Sequence, residues 1–260
     1  QNKKDFNWTH FLVSSILEKE IMKKSWKLTD NQIIINGYPR NEYLLKNKNN
    51  KRLQKEIRNK IIGKLGFTPT KIIMYAPTYR SIEPTKFFPF NDFEINVLKN
   101  YCEQNDVLFI LRTHVNEYNE YQEGIINLNS LLESKHFILG DDFSEMQNYL
   151  LIIDILLTDY SGSFYDFLLM DKPIFIIPYD YHQYEKRRGF SVDMKDMIKN
   201  LSINNLAELL DRIDKNEIYY EKLRDFFETS KNQFHNYEFD DVNSISENIL
   251  KKISENKDKL

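Results

Sequence analysis

Residues that could bind a phosphate lie between an apolar run and a segment with helical spacing. Residues 158–163, Thr-Asp-Tyr-Ser-Gly-Ser, follow the apolar run 153–157 and precede the helical segment 164–170. A helix that begins after such a turn directs free backbone N–H groups and a positive dipole end at an anion, and hydroxyl groups add donors. Gly162 would allow a ligand to approach the backbone closely. We predict a diphosphate site here, and Ser161 acting only as a helix cap is the alternative.

Two further motifs place a cation at the end of an apolar run. Residues 75–80, Tyr-Ala-Pro-Thr-Tyr-Arg, follow the run 72–74, and their arginine carries a planar guanidinium that suits a phosphate. Residues 111–114, Leu-Arg-Thr-His, end the run 107–111. A neutral His114 can accept a proton, and a protonated one can stabilise developing negative charge. A surface arginine and a structural histidine are the simpler alternatives.

A fourth segment adds cations downstream. Residues 178–180, Pro-Tyr-Asp, follow the run 174–177, and Arg187 and Arg188 come shortly afterwards. These arginines could contact a diphosphate. Arginine pairs on helix surfaces are usually solvated, so this segment indicates little by itself.

The apolar runs predict an α/β fold with a doubly wound, parallel, Rossmann-like sheet. The runs are continuous rather than alternating, which is typical of strands buried on both faces. They lie too far apart for hairpins, so helical crossovers must connect them. Ligands of such sheets bind beyond the carboxyl ends of the strands, where the four motifs fall. The predicted strands are 72–75, 107–111, 137–139, 153–157 and 174–177.

The lysine- and asparagine-rich residues 46–52 are the best candidate for a domain boundary, as a solvated loop leading into a helix over 53–65. Before it, we predict strands at 11–13 and 33–35 around a helix at 16–26, and the tail carries helical spacing at 206–213, 219–227 and 242–253. The predicted organisation is a remnant of an N-terminal domain (1–45), a linker and helix (46–66), a Rossmann-like domain (67–230) and a C-terminal helix (231–260).

Composition excludes several classes of protein. The 260 residues include 36 basic and 39 acidic side chains, a balance that argues against wholesale nucleic-acid binding. The single cysteine, Cys102, cannot form an internal disulfide, and we expect it to be buried on a helix. No stretch approaches the roughly 18–20 apolar residues of a membrane span. The remaining histidines lack metal-ligand spacing; they are His10, His136, His182 and His235.

Five segments, taken together, resemble the CDP-glycerol glycerophosphotransferase family in their order and approximate spacing. The resemblance spans about residues 8–210 and implies two Rossmann-like domains in a GT-B-type architecture, of which this chain would hold the C-terminal half. The segments are Gly-Tyr-Pro-Arg-Asn at 37–41, residues 75–80, residues 111–114, Thr-Asp-Tyr-Ser at 158–161 with Phe-Tyr-Asp-Phe at 164–167, and Arg-Gly-Phe at 188–190.

The resemblance implies transfer of glycerol phosphate or ribitol phosphate from a CDP-linked donor. The terminal hydroxyl of a polymer or lipid-linked acceptor would attack the β-phosphorus and release CMP, extending a cell-surface polymer of the teichoic-acid or capsule type. No metal or other cofactor is expected, since CDP-glycerol or CDP-ribitol is the substrate, and no nucleic acid is an expected partner. The expected location is the cytoplasm at the inner face of the cell membrane, with a peripheral membrane contact left open.

The resemblance also implies roles for individual residues. His114 matches the family's catalytic histidine, and the loop after the fourth strand matches its diphosphate loop. The residues expected at the donor diphosphate are Thr158, Ser161, Gly162, Ser163, Arg80, Arg112 and Arg188. Those expected at the nucleotide are Tyr75, Pro77, Thr78, Asp159 and Pro178.

Three departures from the family pattern bear on activity. Gly162 stands where the family usually has a second serine, and Glu42 where it usually has aspartate. A Trp-His-Gly-Thr segment, whose histidine is a candidate base in the family, does not occur in these 260 residues. The chain opens on Gln1 rather than Met, so we expect a fragment with weak or no turnover of its own. A glycosyltransferase with another nucleotide donor and a non-catalytic nucleotide-binding module remain the alternatives.

Overall fold

The computed structural model describes residues 10–80, 85–113, 127–140, 145–235 and 245–257. His114, the predicted catalytic residue, lies outside this part of the chain, so its role stays a prediction. The described residues form two compact units. One takes in those up to Asn49 together with those from Phe226 onward, and the other spans 50–225.

The elements follow the predicted alternation of short strands and helices. The strands are β1 (Phe11–Val13), β2 (Ile33–Ile35), β3 (Lys71–Ala76), β4 (Val107–Leu111), β5 (Phe137–Leu139), β6 (Ile155–Thr158) and β7 (Ile174–Ile176). The helices are α1 (Ile16–Trp26), α2 (Pro39–Asn47), α3 (Lys51–Ile62), α4 (Ile95–Gln104), α5 (Leu128–Leu132), α6 (Met146–Ile152), α7 (Ser163–Leu168), α8 (Tyr181–Arg187), α9 (Lys195–Leu201), α10 (Leu206–Asp214), α11 (Asn216–Lys222), α12 (Arg224–Phe234) and α13 (Ile245–Lys257).

The larger unit is built on a five-stranded sheet with the order β5-β4-β3-β6-β7. Every neighbouring pair in it is parallel, which confirms the predicted doubly wound α/β fold. The chain runs outward from β3 to β5 on one side and then returns to β6 on the other side of β3. This reversal of direction leaves a crevice between β3 and β6 at their carboxyl ends, where ligands of such sheets bind.

Both faces of the sheet are buried, as the continuous apolar runs predict. Residues 72–75 of β3 and 107–111 of β4 are at most 2% exposed. Side chains alternate between the two faces, so Ile73 and Tyr75 share one core cluster with Phe109 and with Cys102 of α4. Cys102 has no exposed surface, and burial raises the pKa of its thiol.

The smaller unit pairs β1 with β2 in parallel and packs α13 against α2. The buried Asn36 amide donates to the Ile245 carbonyl over 2.7 Å. Glu42 accepts two hydrogen bonds from Ser246, from its N–H at 2.9 Å and its hydroxyl at 2.6 Å, and a third from Lys46. Burial opposes the charged form of Glu42, but these three bonds outweigh it and lower its pKa.

Two predicted segments need correction. The expected loop at 46–52 is mostly helical, because α2 continues to Asn47 and the Asn50 side chain caps α3 by accepting from the Leu53 N–H at 3.1 Å. The expected helix at 219–227 is two helices, since the backbone leaves helical geometry at Leu223 (φ −105°, ψ 13°).

Among the described helices, none combines the length and the apolar composition that a membrane span requires.

Ile155→Ala should destabilise the larger unit by about 2–5 kcal/mol, because Ile155 lies in β6, between β3 and β7, with no exposed surface, and the truncation leaves a cavity. Ile218→Ala is the matched control, as that side chain is 66% exposed and should change the unfolding free energy by about 0.5 kcal/mol or less. Denaturant unfolding followed by circular dichroism measures both. Equal effects of the two variants would contradict the assigned core.

Candidate functional site

The described residues of the four predicted motifs lie at one edge of the sheet. The strand register pairs Tyr75 with Leu111, and Thr158 with both Ala76 and Ile176, so β3, β4, β6 and β7 end at the same level. The turns that follow these strands therefore meet at the carboxyl edge, as predicted. Their roles toward a ligand stay predictions.

A largely buried ion-pair network, with side chains 1–15% exposed, joins three of these turns. Arg80, after β3, donates from Nη2 to Asp159 Oδ2 over 2.8 Å and from Nε to Asp180 Oδ2 over 2.8 Å. A second bond to Asp180 runs from Nη2 to Oδ1 over 2.9 Å, and Nη1 donates to the Thr78 carbonyl over 2.6 Å. These bonds occupy four of the five N–H donors of a guanidinium. Arg80 therefore links the ends of β3, β6 and β7.

The environment of Arg80 holds it in the charged form. Its side chain is 11% exposed, and burial alone would lower its pKa. The hydrogen bonds to Asp180 and the negative charge of Asp159 outweigh that effect and raise the pKa above its ordinary value. The guanidinium carbon also lies 4.9 Å from the Tyr184 ring centroid and 5.4 Å from that of Tyr160, within range of cation–π attraction. This geometry favours a positioning role over the predicted direct contact with a diphosphate.

Besides binding Arg80, Asp159 fixes the turn after β3 through hydrogen bonds of its own. Its Oδ1 accepts from the Thr78 N–H at 2.8 Å, the Thr78 hydroxyl at 2.5 Å and the Tyr160 N–H at 2.5 Å. The Asp159 side chain is 1% exposed, so it does not offer a surface to a nucleotide. Pro77 and Thr78 lie half-buried beside it, at the mouth of the crevice between β3 and β6.

Two predicted ligand contacts belong to the core. The Thr158 side chain has no exposed surface, because β6 extends through this residue, and its hydroxyl donates to the Ala76 carbonyl over 2.8 Å. Tyr75 is also fully buried, with its ring 5.3 Å from that of Phe87 and 5.1 Å from that of Phe88. Neither side chain is available to a ligand in this structure. Their contribution is to hold strands β3 and β6 in place.

The loop before α7 remains accessible. Ser161 and Ser163 are half-buried, and the Ser161 hydroxyl oxygen accepts from the Ser163 N–H at 3.3 Å and from its hydroxyl at 3.1 Å. Gly162 is exposed between them with ordinary helical backbone angles, φ −60° and ψ −20°. A Cβ placed on Gly162 would meet nothing within 4 Å, so the fold itself does not require glycine there. A glycine would be required there only if a bound ligand lay close to the backbone, as the sequence predicts.

The other predicted cations differ in availability. Arg112, after β4, donates to the Gly140 carbonyl and lies 5.7 Å from the Tyr149 ring centroid. Arg188, at the end of α8, is exposed, and its guanidinium has no partner in the described part of the chain. Pro178 is half-buried after β7. Arg188 is thus the more accessible of the two arginines.

An aromatic cluster beside the crevice was not predicted from the sequence. Tyr160 packs against Tyr184 and Phe190 with ring centroids 4.5 Å and 5.1 Å apart, and Phe190 stacks on Tyr181 at 5.3 Å. Gly189 has φ +70°, a left-handed angle that brings Phe190 back onto α8. The three-residue spacing of Tyr181 and Tyr184 was the available signal, since it puts both rings on one helix face. The cluster covers the Arg80 network.

Among the described residues, no group of three or more His, Cys, Asp or Glu side chains could hold a metal ion. His136, one of the isolated histidines, belongs to the core. It is 2% exposed, and its Nδ1 lies 3.0 Å from the Val107 carbonyl. The expectation that no cofactor takes part stays a prediction.

Comparison with known proteins decides the family. The family model of CDP-glycerol:poly(glycerophosphate) glycerophosphotransferase matches residues 1–255. The chain belongs to this family. The match extends beyond the 8–210 range of the sequence resemblance and includes both compact units.

Relatives of known function support the assignment. The chain is 30% identical over 229 residues to a teichoic acid poly(glycerol phosphate) polymerase of Bacillus spizizenii, covering 84% of this chain and 53% of that protein. It is 27% identical over 236 residues to a teichoic acid glycerol-phosphate transferase of Staphylococcus aureus, covering 86% and 56%. It is 24% identical to the teichoic acid ribitol-phosphate polymerase TarL of S. aureus, covering 85% and 38%. The present chain thus spans about half the length of these curated relatives.

A solved structure supports the fold. The wall teichoic acid polymerase TagF superimposes on 95% of this chain and 58% of its own, with a TM-score of 0.73 and 24% sequence identity. The likeness confirms the predicted Rossmann-like α/β architecture.

Asp159→Asn should destabilise the larger unit by about 2–3 kcal/mol, because the buried Arg80 loses one of its two opposing charges. Asp193→Asn is the matched control, since that carboxylate is 68% exposed and lies 3.8 Å from the Lys195 ammonium, and an asparagine oxygen can still accept from the Lys195 N–H, which lies 3.0 Å from Asp193 Oδ1. The control should stay within about 0.5 kcal/mol of the parent. Urea unfolding at neutral pH measures both, and a parent-like Asp159→Asn would show that the network does not hold the turns together.

Proposed function

We propose that this chain is the donor-binding portion of an alditol-phosphate transferase that uses CDP-glycerol or CDP-ribitol and releases CMP. The observation that carries the proposal is the family match over residues 1–255. The names of the relatives include both glycerol-phosphate and ribitol-phosphate enzymes, so the alditol is left open.

The geometry of the carboxyl edge suits a diphosphate. The Ser161 and Ser163 hydroxyls and the backbone around the exposed Gly162 offer donors to phosphate oxygens beside the crevice. Arg188 adds an exposed guanidinium that could neutralise charge on the diphosphate. Arg80 and Asp159 act indirectly in this proposal, because they fix the turns that present Thr78 and the serines to the donor.

In the proposed reaction, an acceptor hydroxyl oxygen attacks the β-phosphorus of the donor. A new P–O bond forms a phosphodiester, the P–O bond to CMP breaks, and the acceptor hydroxyl loses its proton to a base. Such transfers need mainly positioning and neutralisation of oxygen charge. We assign the catalytic role to His114 from its position in the family motif, and the acceptor would be a phosphodiester polymer or a lipid-linked primer at the cytoplasmic face of the membrane.

A thermal-shift titration with CDP, CDP-glycerol, CDP-ribitol, UDP and GDP tests the donor class. A ligand that binds only the folded state at a hundred times its Kd stabilises by about 2.7 kcal/mol, which raises Tm by roughly 5–10 °C for a unit of this size. We expect shifts with the cytidine ligands and none with UDP or GDP. A preference for UDP or GDP would instead indicate a glycosyltransferase with another donor.

The paired variant Ser161→Ala/Ser163→Ala should reduce the cytidine-ligand shift, because it removes the Ser161 hydroxyl just before α7 and the Ser163 hydroxyl that donates to it. Ser25→Ala, at an exposed position of α1, is the control and should keep the full shift. A full shift in the paired variant would remove this loop from the donor site. The absence of any shift in the parent chain would contradict donor binding by this portion of the enzyme.

A further inference from the structure

A cavity of about 890 Å³ opens at the amino edge of the sheet. Its walls come from α3, from the segment 66–69 before β3, from the end of α6, and from Asp154 and Lys172, which precede β6 and β7. Because the strands are all parallel, their amino ends lie at the edge opposite the turns of the candidate donor site. The cavity is therefore separate from that site.

Positive charge is concentrated in this cavity. Its lining includes four cationic side chains and one carboxylate, that of Asp154, whereas the whole chain has a formal charge of −3. We call it the basic groove and define it by those cations, which are Lys51, Lys55, Arg58 and Lys172.

These cations remain available to an anion. Lys51 and Lys55 are exposed one turn apart on α3, and neither ammonium has a partner in the part of the chain that the structure describes. Arg58 is 3.7 Å from Asp154, whose same oxygen already accepts from the Ile72 N–H at 2.8 Å. Lys172 donates to the Ile153 carbonyl over 2.6 Å, which leaves two of its three ammonium hydrogens for another acceptor.

We propose that the basic groove is a second binding site that takes phosphodiester groups of a polyanionic chain. Several separated cations along one helix suit repeated phosphates better than one compact anion. The volume lies within the range of pockets that enclose an organic ligand rather than a single ion.

A soluble chain suits the groove better than a membrane surface. A bilayer is contacted by protruding side chains, with apolar residues inserted between the headgroups. The cations here line a concavity, and no large exposed apolar side chain of the described residues is among its lining.

The identity of the chain as an alditol-phosphate polymer rests on the proposed function. In that setting, the groove would hold a growing acceptor or product at a distance from the reacting end. Binding at two places on one chain raises the effective concentration of the second contact without any change at the site of chemistry.

The test measures binding of a short synthetic glycerol-phosphate oligomer by fluorescence anisotropy at low salt. Lys51→Gln/Lys55→Gln should weaken binding roughly tenfold, because two charge-assisted contacts are lost. The control is Lys60→Gln/Lys199→Gln, which removes the same charge from exposed positions outside the groove. It should bind like the parent. All affinities should fall as salt is added, since the contacts are ionic.

Parent-like binding by the Lys51→Gln/Lys55→Gln variant would overturn the groove, as would an equal loss in the control. Binding to phosphatidylglycerol vesicles, or to inorganic phosphate, without binding to the oligomer would also overturn it, in favour of a lipid or a small anion. CDP-glycerol binding is measured separately on the same proteins. If the parent fails to bind CDP-glycerol but its oligomer affinity depends on the two lysines, the groove stands and the proposed donor function fails.

Discussion

The pairing of one buried arginine with two aspartates sets the geometry of the candidate donor site. A guanidinium that is 11% exposed must have its charge compensated, and Asp159 and Asp180 supply that compensation from the ends of two other strands. Because Asp159 also accepts the Thr78 N–H and hydroxyl, the turns after β3 and β6 cannot move independently. The accessible serines near the crevice are presented by a framework that these bonds fix.

The parallel sheet separates two kinds of surface. Its carboxyl edge gathers turns that carry hydroxyls and backbone donors, which suits the proposed diphosphate. Its amino edge carries the basic groove between α3 and the strand starts, which suits a longer anion. In an enzyme that joins a nucleotide-linked unit to a polymer, the two substrates differ in the same way. The two proposed anion sites therefore lie at opposite edges of the sheet.

Much of this architecture could be predicted from the sequence, because continuous apolar runs identify buried parallel strands and the residues just beyond them. The partners of Arg80 could not be predicted, since Asp159 and Asp180 lie 79 and 100 residues away. The family resemblance placed Thr158 at the ligand, in a loop expected to follow a strand ending at 157, but β6 includes Thr158 and its hydroxyl donates to the Ala76 carbonyl. The basic groove could not be predicted from the sequence either, because only folding brings Lys172 close to α3.

Backbone amide mapping by NMR, with CDP-glycerol titrated into the isotope-labelled chain, tests the central claim most directly. We expect the largest shift changes on Thr78 and on residues 161–163, at the crevice between β3 and β6. The amides of Lys51 and Lys55, at the opposite edge, should change little. Largest changes at the amino edge, or no change at the crevice under saturating ligand, would contradict the assignment of the donor site.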